Sequence, residues 1–506
     1  MRLAHIEKRE LGSRFQYLED HLFNVAMGAK VLTDTIGQGD ILFLLGLYHD
    51  LGKSERLFQK KMKEEPNLHV DHSYAGARYL FQEIEQVFQR SGRNPNDAQL
   101  FREIIAYIIS AHHGVYDVPL PEDMEGAGRY RYSKLFYRIG QPRADYHYEE
   151  DIKAYAKLLE EQLPSFGYQN VDDLVMKSFE NFQTAWAKLC INDDSESAFY
   201  SSCFIRLYLS YLKNADILDT INAYDLVIEP KTTEENSELV QKYFQSVEEV
   251  YAGFGNPTTE LNRIRTALGE RVKHRGATDS SGIYRLNLPT GAGKTNLSLR
   301  YAIHQLTQKG KNRFFYMTPF LSVLEQNAAA IQEIIGKEGV LEHHSNLVRE
   351  QQDATPQNEE YGEETVNSLM TDYLIDTWDS PVVLTTMVQF FQTLFKTKSA
   401  NIRRFSNLAN SVLILDEVQS LPIEVTTLFN LTMNFLSRVM GATVVLCTAT
   451  QPAYDSVSIS HRLLYGGEIA EQADIVTLTA EEQEVFKRTE LRKFDESNAI
   501  SRLTDL

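Results

Sequence analysis

The segment LNLPTGAGKTNLSLRYAI, residues 286–303, leaves this chain little freedom. An apolar strand runs into a glycine-containing turn and out into an amphipathic helix. In Thr290-Gly291-Ala292-Gly293-Lys294-Thr295 the two glycines let backbone N–H groups wrap a phosphate chain. Lys294 can then reach the β- and γ-phosphates, and the Thr295 hydroxyl can serve Mg²⁺. Around this turn, IYRLNL, RFFYM, PVVLTT, SVLILD and ATVVLC are short apolar runs separated by helical stretches. That alternation predicts βαβ units and a parallel sheet, an α/β domain.

Further strand ends in this half carry chemistry. SVLILDEVQS places Asp416 at a strand terminus, where it would hold Mg²⁺ through water. Glu417 follows, placed to polarise an attacking water, with Gln419 two residues on. Thr448-Ala449-Thr450 ends the strand ATVVLC, and Thr318-Pro319 and Thr385-Thr386 end two others. Small hydroxyl residues at strand ends can bind a sugar-phosphate backbone without reading bases, although ordinary strand capping uses the same residues. His343-His344 lacks a carboxylate at ligand spacing and is read as no metal site.

The first 220 residues read differently. Leu22, Val25, Ala26 and Ala29, then Ile104, Ile105, Ile108 and Ile109, then Ile205, Leu209 and Leu212, recur at helical spacing. An all-α domain with few strands is expected. The polar, aperiodic VIEPKTTEENSEL after it reads as a linker.

Histidines and carboxylates mark the ends of these helical segments. They are His21, the pair His49-Asp50, His72, the pair His112-His113, and Asp216. Such groups on core helices are costly to bury unless paired or metal-bound. Converging from different helices, they can fill the coordination spheres of one or two divalent ions, and imidazole with carboxylate suits Mn, Fe, Co, Ni or Zn better than Ca. Asp50 could bridge two metals about 3.5–4 Å apart, the spacing of two-metal phosphoester chemistry. Lys53 would point a cation at the phosphate, although Gly52-Lys53 could simply end the helix. One His-Asp pair is usually structural; five such sites in order are not. His5 and His69 have no such context and read as surface or packing residues.

The pattern H…HD…H…HH…D, with HDLGK at its centre, resembles the HD superfamily of metal-dependent phosphohydrolases. PTGAGKT, LILDEVQ and CTAT in order resemble the first RecA-like domain of superfamily 2 helicases. Together, and with LAHIEK, LEDHLFNVA, HSYAGA and LEHHSN, they resemble the CRISPR-associated helicase-nuclease of type I systems. The resemblance implies a multidomain chain: an HD nuclease domain over residues 1–230, a linker over 231–255, a first RecA-like domain over 256–475, and from 476–506 the start of a connection to a second RecA-like domain. It implies that His21, His49, Asp50 and Asp216 hold one divalent transition metal ion (Mn, Fe, Co or Ni), and that Asp50, His72, His112 and His113 hold a second. Asp50, Lys53 and Glu417 would be catalytic. Thr290 to Thr295, Asp416 and Glu417 would bind ATP and Mg. Thr318, Pro319, Thr385 and Thr386 would track the strand, and Thr448, Ala449 and Thr450 would couple ATP state to grip. The implied partners are single-stranded DNA and an RNA-guided, Cascade-type surveillance complex.

The net charge of −19 excludes a generally basic nucleic-acid surface, so DNA contact must be a local groove. Three scattered cysteines, an N-terminus without a signal-peptide core and no run long enough to span a bilayer point to a cytoplasmic protein without a membrane partner. No Q-x-x-G-R-x-x-R motif follows before Leu506, so the chain is expected to be motor-incomplete and to hydrolyse ATP poorly. Two alternatives stay open: an HD-type nucleotide phosphohydrolase with a regulatory P-loop domain, and a non-catalytic DNA-binding or docking fragment.

Overall fold

The structure, a computed structural model, describes residues 2–9, 12–65, 68, 70, 72–116, 134–140, 147–223, 233–344, 377–450, 452–456, 458–467 and 472–487; His69 and the end of the expected connection, 488–506, lie outside them. The chain opens with an antiparallel hairpin, β1 (Leu3–Arg9) and β2 (Gly12–Tyr17), one of the few strand pairings in an otherwise helical half. Its charged residues (Glu7, Lys8, Arg9 and Arg14) hide the apolar alternation of a strand. Side-chain bonds fasten it instead: the Gln59 amide accepts from Leu3 N and donates to Leu3 O, both at 2.9 Å.

Helices follow: α1 (Leu18–Leu32), α2 (Gly39–Tyr48), α3 (Arg56–Lys63), α4 (Ser73–Arg90), α5 (Gln99–Ala111), α6 (Lys134–Gly140), α7 (Ala154–Glu160), α8 (Val171–Ala187) and α9 (Asp194–Ala223). Every residue of α2 from Ile41 to Tyr48 is buried. A helix apolar all round must be surrounded, and α1, α5, α8 and α9 pack about it.

The segment expected to be a linker is largely a helix, α10 (Thr233–Gly253). Its polar residues conceal a stripe of Leu239, Val240, Tyr243 and Val247, all buried in the core of the α/β domain. Glu248 on α10 then meets Arg300 (2.7 and 2.8 Å), Lys273 (2.6 Å) and His304 (3.0 Å). Burial would raise the Glu248 carboxyl, but these cations outweigh it and hold it well below the ordinary carboxylate range. A group depressed on folding stabilises above its unfolded pKa, and that contribution fades as pH falls through the folded value. We therefore expect Glu248→Gln to cost roughly 2 kcal/mol at pH 7, because it strips a partner from buried Arg300. The difference from wild type should shrink below about pH 4 in denaturant titrations, as the unfolded-state carboxyl protonates.

The α/β domain continues with α11 (Glu260–Thr278), β3 (Gly282–Asn287), α12 (Lys294–Lys309), β4 (Arg313–Thr318), α13 (Leu321–Ile335), β5 (Val340–His343), β6 (Val382–Thr386), α14 (Met387–Phe395), α15 (Ser399–Phe405), β7 (Ser411–Asp416), α16 (Thr426–Arg438), β8 (Thr443–Thr448), β9 (Gly466–Gly467) and α17 (Ala480–Val485). The sheet order is β5-β6-β4-β7-β8-β3-β9, parallel except for the short edge strand β9. Strands buried on both faces read as continuous apolar runs, which is why they were visible in the sequence. One face shares its core with the helical domain. There α9 docks on α15: Ser210 Oγ and Asn214 Nδ2 donate to Arg403 O at 2.8 and 2.9 Å.

Candidate functional site

Four helix ends and one residue inside a fifth helix converge on one carboxylate. His21 lies in the first turn of α1, His49 and Asp50 follow the last turn of α2, and His72 precedes α4. His112 and His113 follow α5, and Asp216 stands on α9. Asp50 is buried and its two oxygens face opposite groups. Oδ2 lies 3.5 Å from both His21 Nε2 and His49 Nε2, and these nitrogens lie 3.5 and 3.7 Å from Asp216 Oδ1. Oδ1 lies 3.2 Å from His72 Nε2 and 3.4 Å from His112 Nε2. His113 Nε2 completes that side, 2.8 Å from His72 Nε2. The ligand atoms thus form two four-residue groups, His21-His49-Asp50-Asp216 and Asp50-His72-His112-His113, each small enough for one ion.

The donor set fits metal ions. His21 Nε2, His49 Nε2, His112 Nε2 and Asp50 Oδ1 are buried without a hydrogen-bond partner, a costly arrangement unless something is coordinated there. The other ring nitrogens are spoken for. His49 Nδ1 donates to Gly46 O (2.8 Å) and His112 Nδ1 to Ile109 O (2.6 Å), which leaves each Nε2 lone pair facing inward. Lys53 Nζ sits 2.6 Å from Asp50 Oδ2. Burial would raise the Asp50 carboxyl, but Lys53, His49, His112 and His21 outweigh it and hold it well below the usual range.

Three site neighbours, His5, Asp219 and Gln16, escaped the sequence reading. His5, read as a surface or packing residue, is largely enclosed. Its Nε2 is 3.4 Å from Lys53 Nζ and its ring stands edge-on to His21, centroids 5.0 Å apart. Burial and Lys53 push its pKa down to about 3, so it is neutral. Asp219 accepts from His21 Nδ1 and from Gln16 Nε2, both at 2.7 Å. Asp219 had a faint signal, one helical turn beyond Asp216; Gln16 had none. Gly52 is needed for a close approach, since a Cβ there would lie 1.9 Å from His72 O. A third group, Glu55, His147 and Asp151, is already satisfied: Glu55 caps α3 and binds His147, and Asp151 is held by Arg56 and Arg2.

At the phosphate loop, Gly293 has φ 88° and Lys294 begins α12. Lys294 Nζ binds Glu417 Oε1 (2.7 Å) and lies 3.8 Å from Asp416, which accepts from Tyr316 OH (2.8 Å). Burial raises the Asp416 carboxyl. Burial would raise Glu417 also, but Lys294 and Gln419 outweigh it and lower it. Thr295 Oγ1 donates to Asn327 Oδ1 (3.1 Å). Glu417 takes a left-handed φ of 53°, a strained conformation of the kind that clusters at functional sites. Thr448 Oγ1 donates to Gln419, and Gln419 donates to Glu417, so a continuous chain links Thr448 to Lys294. Thr450 N closes on Thr448 Oγ1 (3.0 Å), and Ala449 lies between them. Beside the loop a cavity of about 340 Å³ is lined by Tyr251, Phe254, Asn262, Arg265, Ala292 and Asn296. Arg265 Nε donates to Gly291 O (2.9 Å).

Two strand-end hydroxyls are turned inward. Thr318 Oγ1 donates to Phe320 O (3.1 Å) and Thr385 Oγ1 to His343 O (2.7 Å), while Thr386 caps α14 and Pro319 is part exposed. His343 and His344 are buried and join none of the metal-sized groups among the described residues. Among the described residues no helix is long and apolar enough to cross a membrane.

Residues 18–161 match the HD domain family and residues 280–457 the DEAD/DEAH box helicase family. The CRISPR-associated nuclease/helicase Cas3 of Haloferax volcanii is 29% identical over 225 residues, covering 39% of this chain and 23% of that protein. The crystal structure of T. fusca Cas3-ADP superposes with a TM-score of 0.53 at 16% identity, covering 89% of this chain and 50% of that one. T. fusca Cas3-ATP gives 0.52 at 17% identity, covering 91% and 51%. The chain thus spans about half the length of these solved relatives. A helical domain matching the HD family is thus joined to a domain matching the DEAD/DEAH box helicase family and built on a predominantly parallel sheet, and the chain is similar in both halves to Cas3 nuclease/helicases.

Proposed function

We propose that the chain is the nuclease and first motor portion of a CRISPR type I helicase-nuclease, cutting single-stranded DNA at the Asp50 centre. The observation that carries this reading is the bifacial Asp50, one oxygen toward each histidine group. His21, His49, Asp216 and Asp50 would hold one transition metal ion, and His72, His112, His113 and Asp50 the other. Bound there, such ions supply Lewis acidity toward the phosphate and a nucleophile at neutral pH. The protein's part is to orient and exclude. Helix ends fix the imidazoles, Lys53 steers the phosphodiester, and the packed α2 keeps bulk water from the centre's floor.

The α/β domain binds ATP and Mg at Thr290–Thr295, Asp416 and Glu417, with the base in the cavity beside Tyr251 and Phe254. Glu417 is the catalytic carboxylate there, and the Thr448–Gln419–Glu417 chain relays nucleotide state toward the strand ends. DNA tracks over Pro319 and Thr386 and the adjoining backbone of Thr318 and Thr385. Residues 1–230 carry the nuclease, and the motor side begins with α10 rather than with a linker. A Cascade-type RNA-guided complex in the cytoplasm supplies the opened strand, so an acidic protein needs only local DNA contact.

The test sets linear and circular single-stranded DNA against free deoxynucleotides, with Mn²⁺, Co²⁺, Ni²⁺ or Fe²⁺. We expect the DNA to be cut and the nucleotides spared, with all cutting lost to a chelator. Turnover of nucleotides with intact DNA would favour the nucleotide phosphohydrolase, and no turnover of either would favour a docking fragment.

A further inference from the structure

The N-terminal hairpin has no place in the chemistry so far, yet it reaches the centre twice. His5 and Gln16 are directly opposed across β1 and β2. Opposed residues of an antiparallel pair share a face, so both side chains leave the hairpin on the same side. An irregularity between Leu3 and His5 brings His5, not Ala4, opposite Gln16. Bulges of this kind re-aim side chains and are over-represented beside active sites.

Resting on the reading of the Asp50 centre as a metal site, we propose that this His5–Gln16 rung positions His21 as a ligand, Gln16 through Asp219 and His5 by packing edge-on against the ring. Gln16 Nε2 and His21 Nδ1 share one oxygen, Asp219 Oδ2, at 2.7 Å each. That oxygen accepts from Nδ1, which leaves the lone pair on His21 Nε2, the atom 3.5 Å from both Asp50 and Asp216. His49 and His112 are oriented by neutral backbone carbonyls, whereas His21 has a carboxylate behind it. A carboxylate in that position fixes the tautomer and raises the donor strength of the ring. The hairpin is tied to the same neighbourhood by Gln59, which bonds Leu3 on one side and Lys53 O (2.7 Å) on the other. Asp219 and the hairpin are therefore positioning groups, acting on the ion that touches His21 and not on the one at His112.

The experiment is a calorimetric titration of Mn²⁺ into the chelator-treated full chain. The samples are wild type, Asp219→Asn, Asp219→Glu, the double variant His5→Ala/Gln16→Ala, and His112→Ala as a reference for the opposite side. Wild type should bind two ions. Asp219→Asn should weaken one of them by about 10–100-fold and spare the one that His112→Ala removes. The hairpin double variant should weaken the same ion by about 10-fold, and Asp219→Glu should restore part of the loss. Unchanged affinities in Asp219→Asn would overturn the proposal. Equal weakening of both ions, with a lowered melting temperature, would show a merely structural role and overturn it too. Wild type binding no Mn²⁺ would overturn both this and the metal reading. Two ions bound without DNA cleavage would overturn the nuclease reading alone.

Discussion

Asp50→Ala will reduce metal-dependent cleavage of single-stranded DNA by at least about three orders of magnitude, the several kcal/mol of charge stabilisation that bound metals provide. No other described residue belongs to both histidine groups, so its loss opens both at once. The variant also strands Lys53, which is buried and has its 2.6 Å partner in Asp50. Removing one member of a buried pair costs roughly 3–5 kcal/mol, so part of any loss could be instability. The double variant Asp50→Ala/Lys53→Met separates the two effects when read by Mn²⁺ binding, which does not need Lys53. Its melting temperature should recover toward wild type while both ions stay unbound. Recovery of Mn²⁺ binding with recovery of stability would mean that Asp50 is a structural counter-ion.

Gly52→Ala is the second large effect. The added Cβ would meet His72 O at 1.9 Å and His72 C at 2.7 Å, backbone atoms that cannot rotate away. The turn after α2 and the start of α4 must separate, which carries His72 off Asp50 Oδ1, from which it lies 3.2 Å. Overpacking of this kind costs about 1–3 kcal/mol or more. The informative result is selective. The His72-side ion should be lost and cleavage should fall at least about 100-fold, the upper range for disturbed metal surroundings. The His21-side ion should be retained. Equal affinity for both ions in Gly52→Ala would show that the turn is less constrained than its packing indicates.

Much of this candidate site was legible because its histidines and Asp50 stand where apolar helical patterns begin or end. His49-Asp50 after a helix buried on every side, and His112 after a row of isoleucines, are polar groups with no solvent to explain them. The parallel sheet was legible for the complementary reason, since strands covered on both faces have no polar alternation to blur them. What escaped was the support. His5 and Gln16 sit in a charged hairpin whose register includes an irregularity, and nothing in the local pattern shows that it folds against Lys53 and Asp219. The helix over Thr233–Gly253 escaped because its buried stripe is narrow and its sequence is dense in glutamate. The strand-end threonines do stand at strand ends, where the Thr318 and Thr385 hydroxyls donate to internal carbonyls.

The central claim is that one carboxylate joins two metal positions. The most direct measurement is an anomalous difference map from crystals of this chain grown with Mn²⁺. Two peaks about 3.5–4 Å apart are expected, one on the Oδ2 side of Asp50 among His21, His49 and Asp216, the other on the Oδ1 side among His72, His112 and His113. A single peak, or density only at Glu55, His147 and Asp151, would contradict it.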